Sequence, residues 1–168
     1  MNVGLHARFA AALLLGGMVL TGCGGDADHD VPYAPEDGQG VAQVHISSDD
    51  VMRFDPLRFR VRPGQSVHIT LEHVGRMEVE RMGHNVVILN ADEDPGAFGR
   101  EVQRRGGSLG NDYVPEPLRD RVIAFTAMIG GGETDTIAFA APDEPGRYPF
   151  VCTFPGHYDV MQGEMLVD

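Results

Sequence analysis

The chain contains no lysine: its 13 basic residues are all arginine, set against 25 acidic ones for a formal net charge of −12. That balance leaves no positive surface to follow a phosphate backbone, which argues against a nucleic-acid binder. The same absence removes any phosphate-binding P-loop, whose lysine is indispensable. A pI near 4.8 marks an acidic surface that keeps the protein soluble and could meet a basic partner. Cysteine is nearly absent, with only Cys23 and Cys152 present. Long apolar runs are also missing. The longest, Phe9 to Leu20, covers 12 residues, whereas a membrane-spanning helix takes about 20.

What that run does have is the shape of a secretory signal. His6 and Arg8 precede it, and it ends in Leu20-Thr21-Gly22-Cys23, which resembles the bacterial lipobox. Residues 1–22 are expected to form a lipoprotein signal peptide, with Cys23 lipidated and becoming the mature N-terminus. Several acyl chains, at about 0.8 kcal/mol per buried methylene, would hold the protein firmly on a membrane. Residues 23–40 are acidic and rich in Gly and Pro, with too few apolar side chains to pack. They are expected to be a flexible linker, with His29 solvated. If Cys23 carries lipid, Cys152 has no disulfide partner. A lone thiol in an exported protein needs a role, because export compartments oxidise thiols. Metal ligation supplies one; a buried structural thiol is the alternative.

From residue 41 to 168 one folded domain is expected. Its pattern is two-residue alternation broken by turns. Val41, Val44 and Ile46 open it with one break in phase; Leu57, Phe59 and Val61 then alternate with Arg58, Arg60 and Arg62; Val67, Ile69 and Leu71 follow. Val86–Leu89, Val122–Phe125, Ile137 with Phe139, Tyr148–Cys152 and Met165–Val167 continue the series. This predicts an all-β, two-sheet antiparallel sandwich or flattened barrel. The interruption from Ala91 to Asp120 predicts one short helix, capped by Asp94, opened by Pro95 and stopped at Gly106-Gly107. Gly96 and Gly99 weaken it, so it should depend on packing.

Near the C-terminus Cys152-Thr153-Phe154-Pro155-Gly156-His157-Tyr158-Asp159-Val160-Met161 places a thiol, an imidazole and a thioether within ten residues. Sulfur suits Cu(I), nitrogen tolerates both copper states, and a long weak thioether biases the site without fixing either geometry. Pro155 and Gly156 favour a tight turn that lets the thiol and imidazole converge. A further ligand is needed. His45 and His68 occupy polar strand positions and read as surface residues. His84 stands in Met82-Gly83-His84-Asn85 at a strand entrance, where Gly83 lets a carbonyl come close.

Taken together, these two stretches resemble the azurins, blue copper proteins of the cupredoxin family, and among them the lipid-anchored azurins with an acidic linker. Val122-Ile123-Ala124, the turn Ile129–Glu133 and His73, eleven residues before His84, support the match. The resemblance implies a Greek-key sandwich holding one type 1 copper ion. It implies a trigonal plane of His84, Cys152 and His157, with the Met161 thioether and the Gly83 carbonyl as weak axial contacts. Asn85 would brace the ligand loop through Thr153, and the Phe154 amide would point at the Cys152 sulfur. Met52, Met77, Met82, Phe154, Pro155 and Val160 would form an apolar docking patch around His157. The chain departs from the family pattern in lacking its disulfide, in having Val86 where well-known members bury a Trp, and in having Phe125 where some expose a His.

The implied function is a single-electron shuttle, not an enzyme. Its partners would be redox proteins such as c-type cytochromes or a terminal reductase or oxidase. The expected form is a monomer, lipid-anchored in the bacterial cell envelope and facing the periplasm or exterior. A copper nitrite reductase or oxidase needs further clustered ligands, and the spare histidines are scattered. A copper store or chaperone is the other alternative, favouring several soft ligands and exchangeable metal.

Overall fold

The computed structural model describes Met1, Asp28 and residues 30–168. The expected signal segment after Met1, the expected lipidation site Cys23, and His29 lie outside the described residues.

Alternation of apolar and polar side chains drives the strands to bury one face each. In β1 (Ala42–Ser48) the inward set is Ala42, Val44, Ile46 and Ser48, so the strand keeps a single phase once Ala42 replaces Val41 as its first member. Strand β2 (Phe54–Asp55) pairs with it, and β3 (Arg58–Val61) turns Phe59 and Val61 inward, leaving Leu57 outside the strand and exposed. Strand β4 (Ser66–His73) buries Val67, Ile69, Leu71 and His73. A one-turn helix α1 (Val79–Met82), not foreseen from the sequence, precedes β5 (Val87–Leu89). Helix α2 (Pro95–Arg104) and two 3₁₀ turns (Leu109–Asn111, Glu116–Arg121) fill the long interruption before β6 (Val122–Phe125). Strands β7 (Thr134–Ala140), β8 (Gly146–Val151) and β9 (Gln162–Val167) complete the domain.

The described strands form two open sheets, ordered β2-β1-β4-β7 and β3-β9-β8-β5-β6. The result is a sandwich, not a closed barrel. It is also not purely antiparallel, since β1 pairs with β4 and β3 with β9 in parallel. The chain crosses to the second sheet for β3 and re-enters the first beside β1 in the same direction, which produces the first of these pairs.

Phe150 sits in the middle of the core, its ring 5.4 Å from Phe54 and 5.8 Å from Phe59. A smaller cluster lies under α2, where Phe98 and Val102 meet Val87, Leu89 and Val151. Asp94 caps the helix by accepting from Ala97 N–H, and Gly106 (φ 83°) reverses the chain so that Gly107 N–H reaches the Val102 carbonyl at 2.9 Å. Burying Phe98 and Val102 contributes about 1.5–3 kcal/mol each, which offsets the two glycines. Gly99 has its own reason: a Cβ there would overlap the Tyr158 side chain. The helix is thin at this point so that it can lie against the loop carrying Cys152 and His157.

The end of the acidic stretch preceding the domain lies along the sandwich. Ala34 N–H bonds to the Arg60 carbonyl at 2.8 Å, and the Tyr33 ring lies 5.3 Å from the Arg60 guanidinium and 4.8 Å from that of Arg62. Asp28 pairs with Arg58 and Arg147. This cover explains why Arg60, on the polar phase of β3, is buried; it pairs with Asp168 at 3.4 Å.

One feature of the register positions the site. Val87 pairs with Val151, and Val151 with Gln162, so the start of β5, the end of β8 and the start of β9 lie side by side. The residues just beyond them are His84, Cys152 and Met161. No described helix is long and apolar enough to cross a membrane.

Candidate metal centre

Cys152 follows β8 directly, and its N–H donates to the Met161 carbonyl at 3.0 Å. Between them the chain makes a hydrogen-bonded turn, with His157 N–H on the Phe154 carbonyl at 3.0 Å and Gly156 at φ 83°. The Val160 and Met161 N–H groups return to the His157 carbonyl at 2.9 and 2.8 Å. This folding brings His157 Nδ1 to 3.6 Å from Cys152 Sγ.

His84 comes from the other side. It is bridged to Ile129 by two backbone hydrogen bonds of 2.9 Å, which fix the segment before β5. Its Nε2 lies 2.8 Å from the Asp49 carbonyl. A carbonyl can only accept, so Nε2 carries the proton and Nδ1 presents a lone pair, 3.8 Å from Sγ. The Gly83 carbonyl is 3.8 Å from the same sulfur. A side chain at Gly83 would put its Cβ 2.6 Å from the Val79 carbonyl and 2.9 Å from Met128 Sδ, so only glycine permits this approach.

Burial sets the charge state. The Cys152 thiol is pushed up to about 12 by desolvation, with the backbone N–H groups of Asn85 and Phe154 pulling the other way. His84 and His157 are both lowered to about 4, chiefly by burial. At neutral pH the metal-free site therefore holds one protonated thiol and two neutral imidazoles. A metal displaces a single proton from the sulfur and none from the rings.

Three donor atoms, from His84, Cys152 and His157, lie within 4.8 Å of one another, and all three residues are buried. Bonds of about 2.0 Å to nitrogen and about 2.3 Å to sulfur call for sulfur and nitrogen donors about 3.5–3.7 Å apart. The 3.6 and 3.8 Å separations meet that requirement. One thiolate and two imidazoles, with a buried Met161 in the same core cluster, form a soft and mixed set that fits copper.

Residues 41–168 match the model of the copper-binding proteins of the plastocyanin/azurin family. The chain belongs to this family. The azurin of Alcaligenes faecalis is 38% identical over 123 residues, which cover 71% of this chain and 93% of that protein. Outer membrane protein H.8 of Neisseria gonorrhoeae is 39% identical over 132 residues, covering 77% of this chain and 69% of the relative. Among solved structures, the dithionite-reduced auracyanin of Roseiflexus castenholzii is similar with a TM-score of 0.65 and 34% identity, over 75% of this chain and 96% of that one.

Around this copper-family site the structure places the other expected residues as follows. Asn85 and Thr153 are buried and bonded to each other. Phe154 is buried, its ring tilted against that of His157 with centroids 4.6 Å apart, so it underlies the surface without forming part of it. Met77, Pro155 and Val160 are exposed, while Met52 and Met82 are half-buried. His157 is 4% exposed and His84 is fully covered, so of the two histidines in the cluster His157 is the less deeply buried. His73 stacks on His84 at 4.3 Å, its Nδ1 accepting from Gly75 N–H at 3.0 Å and its Nε2 donating to the Met82 carbonyl at 2.9 Å. Three contributors were not foreseen. Asp49 offers its carbonyl to His84, Gln103 of α2 donates to the Thr153 carbonyl at 3.0 Å, and Asp112 bonds Asn85. None carries a local motif, because each acts through a position that folding brings close.

Proposed function

We propose that the protein is a one-electron carrier of the bacterial cell envelope that holds one type 1 copper ion, converts no substrate and is tethered to a membrane through lipid on Cys23. The observation that carries this reading is the buried cluster of one sulfur and two Nδ1 atoms at metal-binding separations. Copper, when bound, supplies the one-electron couple. His84, Cys152 and His157 would hold it, with the Met161 thioether and the Gly83 carbonyl as further weak donors.

The remaining work belongs to the chain. Fast transfer requires the donors to keep their places in both oxidation states, and the sheet ends together with the Asn85–Thr153 hydrogen bonds restrain them. The N–H groups on the Cys152 sulfur draw electron density from the thiolate, which disfavours the oxidised ion and raises the potential. Full burial of Cys152 and His84 excludes water and keeps the metal from exchanging, which supports a carrier over a store or chaperone. His157 would be the exit for the electron. Met77, Pro155 and Val160, flanked by Met52 and Met82, would form a docking patch for redox proteins such as c-type cytochromes or a terminal reductase or oxidase. The protein would act as a monomer.

Support for the envelope reading comes from the Leu20–Cys23 motif and from similarity to a relative named as an outer membrane protein. The test is an optical and paramagnetic-resonance spectrum of the oxidised protein. An intense visible thiolate-to-Cu(II) band with narrow copper hyperfine splitting is expected; a colourless Cu(II)-loaded protein would overturn the reading.

A further inference from the structure

Asp112 and Tyr113 are two consecutive non-glycine residues with left-handed backbone, at φ 51° and 53°. Aspartate tolerates this region and tyrosine enters it rarely, so such a pair persists only where its surroundings hold it. Here the surroundings are the copper-site segments themselves. The Asp112 carbonyl accepts from Asn85 Nδ2 at 2.8 Å, and the same nitrogen donates to Thr153 Oγ1 at 2.9 Å. The Asp112 carboxylate accepts from Met128 N–H at 3.0 Å. Met128 precedes Ile129, the residue bridged to His84, and its sulfur packs against Gly83. The Tyr113 ring, carried by the same turn, lies 5.5 Å from Phe154, which in turn lies 4.6 Å from His157. The turn is closed from behind by Tyr113 N–H on the Ser108 carbonyl at 2.9 Å.

One dipeptide therefore reaches the surroundings of each candidate ligand: directly through Asn85 and Met128 for His84 and through Phe154 for His157, and indirectly, by way of Asn85 and Thr153, for Cys152. We propose that Asp112 is a positioning residue for the copper site, its left-handed turn locking three ligand-bearing segments so that the donors do not shift when the oxidation state changes. This rests on the copper-carrier reading above. Asp112 touches neither metal nor ligand; it acts through their neighbours. Its carboxylate and its backbone conformation have separable tasks, one holding Met128 and the other aiming the carbonyl at Asn85 and the Tyr113 ring at Phe154.

The test uses the full copper-loaded chain, with three variants at this position and two readouts, the electron self-exchange rate from NMR line broadening and the visible and paramagnetic-resonance spectra. Asp112→Ala removes the carboxylate and disfavours the left-handed turn; its self-exchange should fall about tenfold, the lower bound for losing an outer support of a metal site, with an altered thiolate band. Asp112→Asn keeps an oxygen acceptor and the turn, and should retain wild-type rate and spectra. Asp112→Gly keeps the turn alone and should fall between them. A lowered melting temperature in Asp112→Ala with unchanged rate and spectra would make the residue merely structural and overturn the proposal. If Asp112→Ala does not fold, the glycine variant decides: a wild-type rate there rejects the carboxylate's role, and a reduced one supports it. A wild-type protein without the blue signature would instead sink the copper-carrier reading, leaving the two failures distinguishable.

Discussion

Asn85 and Thr153 stand 68 residues apart in sequence and are joined by three hydrogen bonds, from Asn85 Nδ2 to Thr153 Oγ1 (2.9 Å) and from Thr153 N–H (2.9 Å) and Oγ1 (3.2 Å) to Asn85 Oδ1. These residues adjoin His84 and Cys152, so the link ties together the segment before β5 and the segment after β8 that carry two of the candidate ligands. Asn85→Ala should leave buried donors of Thr153 unpaired, at about 1–3 kcal/mol of stability. It should also loosen the metal, with copper lost to a strong chelator about tenfold faster. Decay of the visible band under chelator challenge measures this, and an unchanged rate would show that the loop stays closed without Asn85.

Cys152→Ser should abolish the thiolate-to-Cu(II) colour, since an alkoxide oxygen has no comparable transition; retained colour would refute the sulfur assignment. Met161→Leu should preserve the colour and raise the reduction potential, because losing a donor disfavours Cu(II). Voltammetry reads the second outcome, and a potential that is equal or lower would contradict the axial role.

The metal-free protein should lose stability on both sides of neutrality. His84 and His157 have folded values near 4 against an ordinary 6.5, so below pH 6.5 the unfolded chain takes up protons that the folded one refuses. Their contribution is whole above pH 6.5 and drains away as the pH falls to about 4. Cys152 has a folded value near 12 against an ordinary 9.0, so above pH 9 the unfolded thiol ionises first and stability declines toward pH 12. Denaturant midpoints of the copper-free protein across pH 4–10 check both arms, and a flat profile between pH 4 and 6.5 would contradict the first.

Gly99→Ala places a methyl group into the Tyr158 side chain. Overpacking of this kind costs about 1–3 kcal/mol, although alanine is the better helix former. A lowered midpoint in chemical denaturation is expected, and a stabilised variant would show that α2 can move away from the ligand loop without cost.

Cys23→Ala should release the protein from membranes into the soluble fraction. Fractionation after expression of the full chain, residues 1–22 included, is sufficient, and continued membrane attachment would dispose of the lipid anchor.

Much of this was legible in the linear chain for a local reason. The spacing from Cys152 through His157 to Met161 is short enough for one turn to close, and the residue types alone specify a soft, mixed donor set. Period-two alternation located β3, β4 and β7, short apolar runs located β6 and β8, and the Asp94-Pro95 start with the Gly106-Gly107 stop located α2, because caps and pleats act over a few residues. Where alternation misled, a distant segment was responsible. Arg60 lies on a polar phase yet is buried, since Tyr33 and Asp28 come from far away to cover it.

By itself, then, the amino-acid order determined which chemistry the protein can hold and which stretches become strands, since both depend on neighbours within a few residues. Only the tertiary structure decided how closely His84 approaches Cys152, that the Asp49 carbonyl selects the free nitrogen of His84, and that the Asp112 carbonyl meets the Asn85 side chain. These relations link residues dozens of positions apart, two of them through backbone carbonyls that every residue possesses, and no local pattern of side chains encodes which carbonyl will end up beside which side chain.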